Sequence, residues 1–315
     1  MAENRVIIRG TNISVYPVGL GTNAVGGQKY YPHITDKDGR KVLFAALEHG
    51  IDFWDTAYTY GPKKSEKIIG EVLKETGKRK DIVLASKAAH DDSEGYTVYN
   101  NHPDFLRQAV EDSLRRLQTD YIDLFYIHYP DDKTPKYEAV GALKELKDEG
   151  KIRAIGVSNF SLQQLKEANR DGYVDVYQGK FNLLDRTAEK EIMPYTLKEN
   201  ISFVPYFPLA SGLLTGTYTL DTSFPDGDLR KQQADFQRGR FKEVLDRVNQ
   251  LRPLAETKKV EIAQLVLARY LHHEAIDVII PGAKRPEQVQ ANKLSRKVVL
   301  TEEEVNEIDR IFEGL

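Results

Sequence analysis

Short β-branched, apolar runs alternate along this chain with charged, amphipathic segments of helical length, the pattern of repeated strand-helix-strand units. Eight runs read as strands: Tyr16 to Leu20, Ile51 to Trp54, Ile82 to Ser86, Ile122 to Ile127, Ile152 to Val157, Val174 to Tyr177, Ile201 to Pro205 and Asp277 to Ile280. Eight is the number that closes a parallel sheet into a (β/α)8 TIM barrel, so the predicted class is α/β. Between the runs, Asp104 to Leu117 sets Phe105, Ala109, Val110, Leu114 and Leu117 on one side, with Arg and Glu on the other. Tyr137 to Asp148 repeats that pattern, and both are predicted as outer-ring helices. Ahead of the first run, Val6 to Arg9 and Ile13 to Val15 flank Gly10-Thr-Asn12 and predict a β-hairpin capping the bottom of the barrel.

No Ser/Gly/Pro-rich linker interrupts the alternation, so residues 1–315 are expected to form a single domain. The stretch from about Ser211 to Arg238 is the exception to the rhythm: it is polar, carries neither strand nor helix pattern, and reads as a flap. A merely mobile insertion is the bland alternative.

Composition narrows the function classes. The chain is 40% hydrophobic and 30% charged with a formal net charge of −3, which gives no electrostatic case for nucleic acid or an anionic membrane as the main partner. There is no cysteine, which excludes disulfides, thiolate nucleophiles and Cys-based zinc sites and fits a reducing cytoplasm. The amino terminus lacks the apolar core of a signal peptide and no apolar run is long enough to span a bilayer, so the sequons at Asn12 and Asn200 read as chance matches.

Barrel enzymes build their sites at the carboxyl ends of the strands. Here those ends carry Gly21-Thr22, Asp55, Lys87, His128, Ser158-Asn159, Gln178 and Tyr206. Each alone is as easily a solvated residue or a helix cap; their coincidence on one rim points to chemistry. Tyr60 follows five residues after Asp55. A phenol is a weak acid at neutral pH unless a neighbouring cation favours its phenolate, and Lys87 is the available cation. Asp55 is the carboxylate that would keep Lys87 charged, and His128 could orient a substrate oxygen. Such a group protonates a developing alkoxide, so a hydride must come from elsewhere.

Other readings of the same residues are weaker. Asp52 and Asp55 are three apart on a strand and should not share a face, against a glycosidase pair. Lys87 could instead form a Schiff base. His272-His273 has no metal-ligand spacing and reads as a helix end, and no metal is expected.

Two segments could hold a dinucleotide. Gly19-Leu-Gly21-Thr-Asn-Ala24 matches the Rossmann fingerprint, but Val25-Gly-Gly-Gln-Lys-Tyr-Tyr-Pro32 should continue as loop where that site needs a helix. The better candidate is Ile279 to Asn292, where a strand ends at Gly282-Ala283 and a helix begins near Pro286. Helix amino termini bind phosphate, and Lys284 with Arg285 would suit a 2′-phosphate, favouring NADP over NAD. A Lys-Arg pair before a helix is also often plain surface.

With these residues assembled, the chain resembles the aldo-keto reductase family from Val18 to about Asn292. Gly50-Ile-Asp-Phe-Trp-Asp55-Thr-Ala-Tyr-Thr-Tyr60-Gly61, followed by Ser65-Glu66-Lys-Ile-Ile-Gly70, resembles its first signature. Ala85-Ser-Lys87 and Asp123-Leu-Phe-Tyr-Ile-His128 resemble the segments carrying the rest of its catalytic tetrad. The resemblance implies a barrel binding NADP(H) without a Rossmann domain, with Asp55, Tyr60, Lys87 and His128 as the tetrad. It implies that Ser158, Asn159 and Gln178 hold the nicotinamide carboxamide and that Tyr206 stacks on the ring. Phe207, Pro208, Leu209, Ala210, Ser211, Gly212 and Leu213 would cover the pyrophosphate, with Gly21 and Thr22 at the near turn, while Gln288 and Asn292 reach the adenine end. Within the family the chain most resembles a bacillus-type reductase associated with inositol catabolism, which adds Arg230 on the flap to Lys284 and Arg285 at the 2′-phosphate.

The expected function is therefore NADPH-dependent reduction of aldehydes or ketones, with a carbonyl, polyol or sugar-related small molecule as substrate. The alternative is a cofactor-sensing regulatory module like the potassium-channel β subunits, which resemble this family too. The chain ends at Leu315, soon after a helix predicted at about Glu302 to Phe312, leaving little carboxyl-terminal loop to wall the substrate. Neither substrate identity nor oligomeric state is legible.

Overall fold

The computed structural model describes residues 5–27, 31, 33–93 and 95–315. Seven parallel strands form a curled sheet: β3 (Leu20–Gly21), β4 (Phe53–Asp55), β5 (Val83–Ala88), β8 (Ile122–Ile127), β9 (Ile152–Ser158), β10 (Val176–Lys180) and β11 (Ser202–Tyr206). Their spatial order is β11-β10-β9-β8-β5-β4-β3, so each barrel strand pairs with the next one along the chain.

The eighth predicted strand does not form a ladder. Two single bridges, Val18 to Ile279 and Gly21 to Gly282, join it to the first run. Around them Gly19 N donates to Ile279 O at 2.8 Å and Ile279 N to Pro17 O at 3.0 Å, while Phe203 N reaches Ala275 O at 3.0 Å from the other side. The ring is closed, but by isolated bonds. Pro17 and Pro281 have no N–H to give, and the first strand, predicted at Tyr16 to Leu20, forms its ladder only at Leu20 and Gly21.

The amino-terminal hairpin forms as β1 (Val6–Ile7) with β2 (Ser14–Val15), turning through Gly10 at φ 75°. It plugs the barrel: Ile8, Ile13 and Val15 are buried in one cluster with Phe53, Ala85, Leu124, Ala154, Val176, Val204 and Val278. A second short hairpin, β6 (His90–Asp91) with β7 (Val98–Tyr99), follows β5.

Helices cover the outside: α1 (Asp36–Glu48), α2 (Lys64–Thr76), α3 (Pro103–Leu117), α4 (Lys136–Asp148), α5 (Leu162–Ala168), α6 (Ile192–Lys198), α7 (Arg238–Asn249), α8 (Arg252–Lys258), α9 (Ile262–Leu271), α10 (Pro286–Leu294) and α11 (Glu302–Ile311). The two helices read from periodicity begin one residue earlier than predicted. Thr35, Ser161 and Thr301 cap α1, α5 and α11 in reciprocal capping boxes, satisfying amide groups that those helices would otherwise leave bare. His272 caps the end of α9, and its Nε2 lies 2.9 Å from Glu302, as expected of a helix-end residue.

The flap contains only 3-10 turns, at Ala210–Thr215, Leu229–Gln232 and Ala234–Phe236, before α7 begins. It has its own apolar staple, since Phe236 packs 5.3 Å from Phe224, 6.2 Å from Tyr218 and 5.8 Å from Phe241. The loop expected to follow Ala24 lies partly outside the described residues, at 28–30 and 32.

Candidate active site

Side chains two apart on a strand share a face, so the residues above the barrel's apolar layer are fixed by register. Phe53 is followed by Asp55, Ala85 by Lys87, Leu124 by Tyr126 and Val176 by Gln178. One step down the barrel is hydrocarbon; one step up it is polar. Asp52 has the opposite phase and lies at the other end, accepting from Tyr16 N at 2.9 Å and pairing with Arg5 at 2.5 Å. The two aspartates do not form a pair.

Asp55 and Lys87 are 1% and 0% exposed in their side chains, and Lys87 Nζ stands 2.5 Å from Asp55 Oδ1. The ammonium also donates to Thr56 O at 2.8 Å. Gln178 Nε2 donates to the other carboxylate oxygen at 3.0 Å. Lys87 Nζ lies between two rings, 5.2 Å from the centroid of Tyr60 and 5.5 Å from that of Tyr126. Burial lowers the Lys87 pKa from its ordinary value; Asp55, and Glu66 behind it, oppose that shift.

Tyr60 is half-buried on the loop after β4, positioned by Tyr60 N donating to Ala57 O at 3.1 Å and Ser65 N to Tyr60 O at 3.0 Å. The His128 ring meets it edge-on at 6.5 Å. Burial, then Lys87 and His90, pull the His128 pKa well below that of an ordinary histidine, so its imidazole is neutral at pH 7. Its Nδ1 is buried and has no hydrogen-bond partner among the described residues.

On the neighbouring rim, Asn159 adopts a left-handed backbone at φ 63° and is held by three bonds. Its Nδ2 donates to His128 O and Ser158 Oγ, each at 3.0 Å, and its Oδ1 accepts from Tyr206 Oη at 2.8 Å. Beyond Tyr206 the chain is strained: Phe207, Ala210 and Ser211 have φ of 55°, 46° and 57°, with Gly212 at 97°. Pro208 O accepts from the buried Tyr270 hydroxyl at 2.9 Å, and Leu213 is buried, anchoring this segment at both ends; Leu209 packs on the same core.

The second region forms where the flap meets the last strand and α10. Burial lowers the Lys284 pKa from its ordinary value, the nearby Arg230 and Arg285 add to that shift, and Asp228 opposes it. Lys284 Nζ lies 4.1 Å over the Tyr31 ring, and its backbone N donates to Gln288 Oε1 at 2.8 Å. Asn292 Nδ2 reaches Gly282 O at 3.4 Å. A shallow cavity of about 420 Å³ opens here, lined in part by Lys284, Arg285 and Pro286. Gly21 and Gly282 let the two strand ends approach: a Cβ on Gly21 would stand 2.8 Å from Ile280 O. Ala283 is buried. Thr22 is buried as well, with its hydroxyl donating to Asp55 O at 2.8 Å and contacting Ser65 Oγ at 3.1 Å, so it braces the Asp55 strand from behind.

Several participants were not singled out from sequence. Glu66 is fully buried, bonded to Ser86 Oγ at 2.6 Å and to Arg116 at 2.5 Å, directly behind Lys87. Its place in the first signature was the available signal. His90, Tyr99 and Tyr129 form an aromatic group against His128, with Tyr99 and Tyr129 stacked at 4.8 Å. Only the β6–β7 pairing brings Tyr99 there, and no short-range pattern announces it.

Residues 17–313 match the model of the Aldo/keto reductase family. The "Aldo-keto reductase YhdN" of Bacillus subtilis (strain 168) is 38% identical over 308 residues, 98% of this chain and 93% of that protein. "Aldo-keto reductase yakc [NADP(+)]" of Schizosaccharomyces pombe is 34% identical, over 94% of this chain and 88% of that one. The "NADH-specific methylglyoxal reductase" of Escherichia coli (strain K12) is 33% identical, over 97% of each. Among solved structures, the glycerol dehydrogenase AKR11B4 from Gluconobacter oxydans superposes with a TM-score of 0.89 at 36% identity, covering 99% of this chain and 95% of that one.

Proposed function

This chain belongs to the aldo/keto reductase family, and from that membership we propose that it is an NADPH-dependent oxidoreductase reducing aldehyde or ketone carbonyls to alcohols, with residues 1–315 acting as one domain. The observation that carries this reading is the fully buried Asp55–Lys87 pair beneath the half-buried Tyr60 at the carboxyl ends of the strands.

The residues present fit the dinucleotide. In a chain of net charge −3, Arg230, Lys284 and Arg285 gather at one place, a donor set suited to a 2′-phosphate. Ser158, Asn159 and Gln178 offer amide and hydroxyl groups for the carboxamide, with Tyr206 as the flat surface for the ring. The strained run from Phe207 to Gly212 would face the pyrophosphate, and Gln288 and Asn292 the adenine. When bound, the reduced nicotinamide supplies the hydride.

The chain's own part is the proton. Tyr60 donates its phenolic proton to the carbonyl oxygen as negative charge develops there. Lys87 stabilises the resulting phenolate, and Asp55 holds the ammonium in place without solvent. His128, kept neutral, hydrogen-bonds the substrate oxygen and turns it toward the phenol. The narrower resemblance to an inositol-associated reductase, and relatives named for glycerol and methylglyoxal, support a small polyol or its carbonyl partner as substrate.

The test is Tyr60→Phe, which keeps the ring over Lys87 and removes the proton. NADPH oxidation with a panel of aldehydes, ketones and polyol-derived carbonyls should fall at least about 100-fold while titrated NADPH affinity stays within about twofold. Reduction at the wild-type rate by the variant would refute the assignment.

A further inference from the structure

The Arg230 guanidinium already has partners within the flap. Its Nε donates to Asp228 Oδ1 at 2.9 Å and its Nη2 to Asp228 Oδ2 at 2.5 Å, a bidentate pair, while Nη1 donates to Tyr218 Oη at 2.7 Å. The guanidinium also lies 4.2 Å over the Phe224 ring. Asp228 Oδ1 accepts the Arg230 backbone N as well, at 2.9 Å, so the carboxylate is fixed from two directions. Both side chains are about one-fifth exposed, which places the pair in partial shelter from solvent. Asp228 also feels Lys284, which helps to hold its pKa down to about 2 after the larger effect of the Arg230 hydrogen bonds.

The cluster therefore contains three cations and one permanently ionised acid. Dinucleotide sites normally choose between these: an acidic residue accepts a hydrogen bond from the ribose 2′-hydroxyl, whereas arginine accommodates a 2′-phosphate. A phosphomonoester carries about −1.5 to −2 charges at pH 7 and is repelled by an adjacent carboxylate. Here Asp228 cancels much of the charge that Arg230 would present, and leaves Lys284 and Arg285 as the cations for the phosphate.

We propose that Asp228 is a cofactor-selectivity residue: its carboxylate, seated on Arg230 beside Lys284, restrains the preference for the 2′-phosphorylated dinucleotide, so that the cleft takes NADH as well as NADPH. This rests on reading the region as the adenosine end of a cofactor cleft.

The experiment is direct titration of NADPH and NADH, without substrate, into the wild-type protein, Asp228→Asn and Asp226→Asn. The first substitution keeps the size of the side chain and one acceptor for Arg230. Asp226 lies on the same flap, exposed and paired with Lys231, and its replacement changes net charge equally. In the first variant the affinity ratio of NADPH to NADH should rise about tenfold, mostly through tighter NADPH, while the second should change it less than about twofold. Equal shifts in both variants, an unchanged ratio, or weaker NADPH binding in Asp228→Asn would overturn the inference; weaker binding would mean that Asp228 serves only to orient Arg230. Failure of the wild-type protein to bind either dinucleotide would overturn the cleft reading itself, and this inference with it.

Discussion

Lys87 Nζ stands 2.5 Å from Asp55 Oδ1, and neither side chain retains appreciable contact with water. Each residue is the other's counter-ion across adjacent parallel strands, where Asp55 pairs in register with Ala85 two residues before Lys87. Replacing one member leaves the other as an uncompensated buried charge. Lys87→Met should therefore lower the unfolding free energy by about 3–5 kcal/mol. The double variant Lys87→Met/Asp55→Leu should recover much of that loss while remaining inactive. Denaturant midpoints of the three proteins check the coupling, and additive losses would contradict it.

Gly156 faces the Tyr126 ring across β8 and β9, and a Cβ there would overlap ring carbons. Gly156→Ala should cost about 1–3 kcal/mol by overpacking. It should also disturb Lys87, because the ring displaced is one of the two flanking its ammonium. Restoring volume with Tyr126→Leu in the same chain should return most of the stability, measured by urea unfolding.

Burial lowers the pKa of both His128 and His273 below the ordinary 6.5. Below about pH 6.5 the unfolded chain takes up protons that the native state refuses, so native stability declines as pH falls from there. Above that pH both histidines are neutral in the native and the unfolded chain alike and contribute no slope. The expected slope between pH 6.5 and 5.5 is up to about 1.4 kcal/mol per pH unit for each histidine. His128→Asn should remove one share of it; an identical slope in that variant would show that His128 titrates normally.

The flap depends on Phe236, which touches Tyr218, Phe224 and Phe241. Phe236→Ala should speed proteolytic cleavage within 211–237 by about tenfold for every 1.4 kcal/mol of packing lost. The melting temperature of the barrel should change little. Cleavage at the wild-type rate would mean that the turns hold without the aromatic staple.

The seven barrel strands with ladders and the rim residues Asp55, Lys87, His128 and Gln178 were legible because period-two alternation and strand-end position are local properties. The eighth strand was legible as a run but not as a pair of single bridges, since the missing donors at Pro17 and Pro281 matter only once Pro17 lies beside Ile279 and Pro281 beside Gly21 at the two ends of the seam. The flap read as featureless, because its three aromatics, Tyr218, Phe224 and Phe236, are separated by irregular intervals and no regular period reveals a cluster that folds back onto Phe241 of α7. Asp228 was hidden for a related reason. Its meaning comes from Arg230 two residues away together with Lys284, far along the chain, and only the closed barrel sets them side by side.

The seam has a consequence for how the molecule comes into being. Asp55 and Lys87 sit on neighbouring strands and can meet while the chain is still short, but Gly21 waits for Gly282, and Arg9 N waits for the Asp277 carboxylate, 2.9 Å away in the finished protein. A nascent polypeptide leaving the ribosome thus carries the strands that bear Asp55 and Lys87 long before the last eighth of the ring emerges to close it. A chain truncated before residue 282 should collapse around its first strands yet keep an unsealed edge, prone to pair with another copy rather than to hold a small molecule.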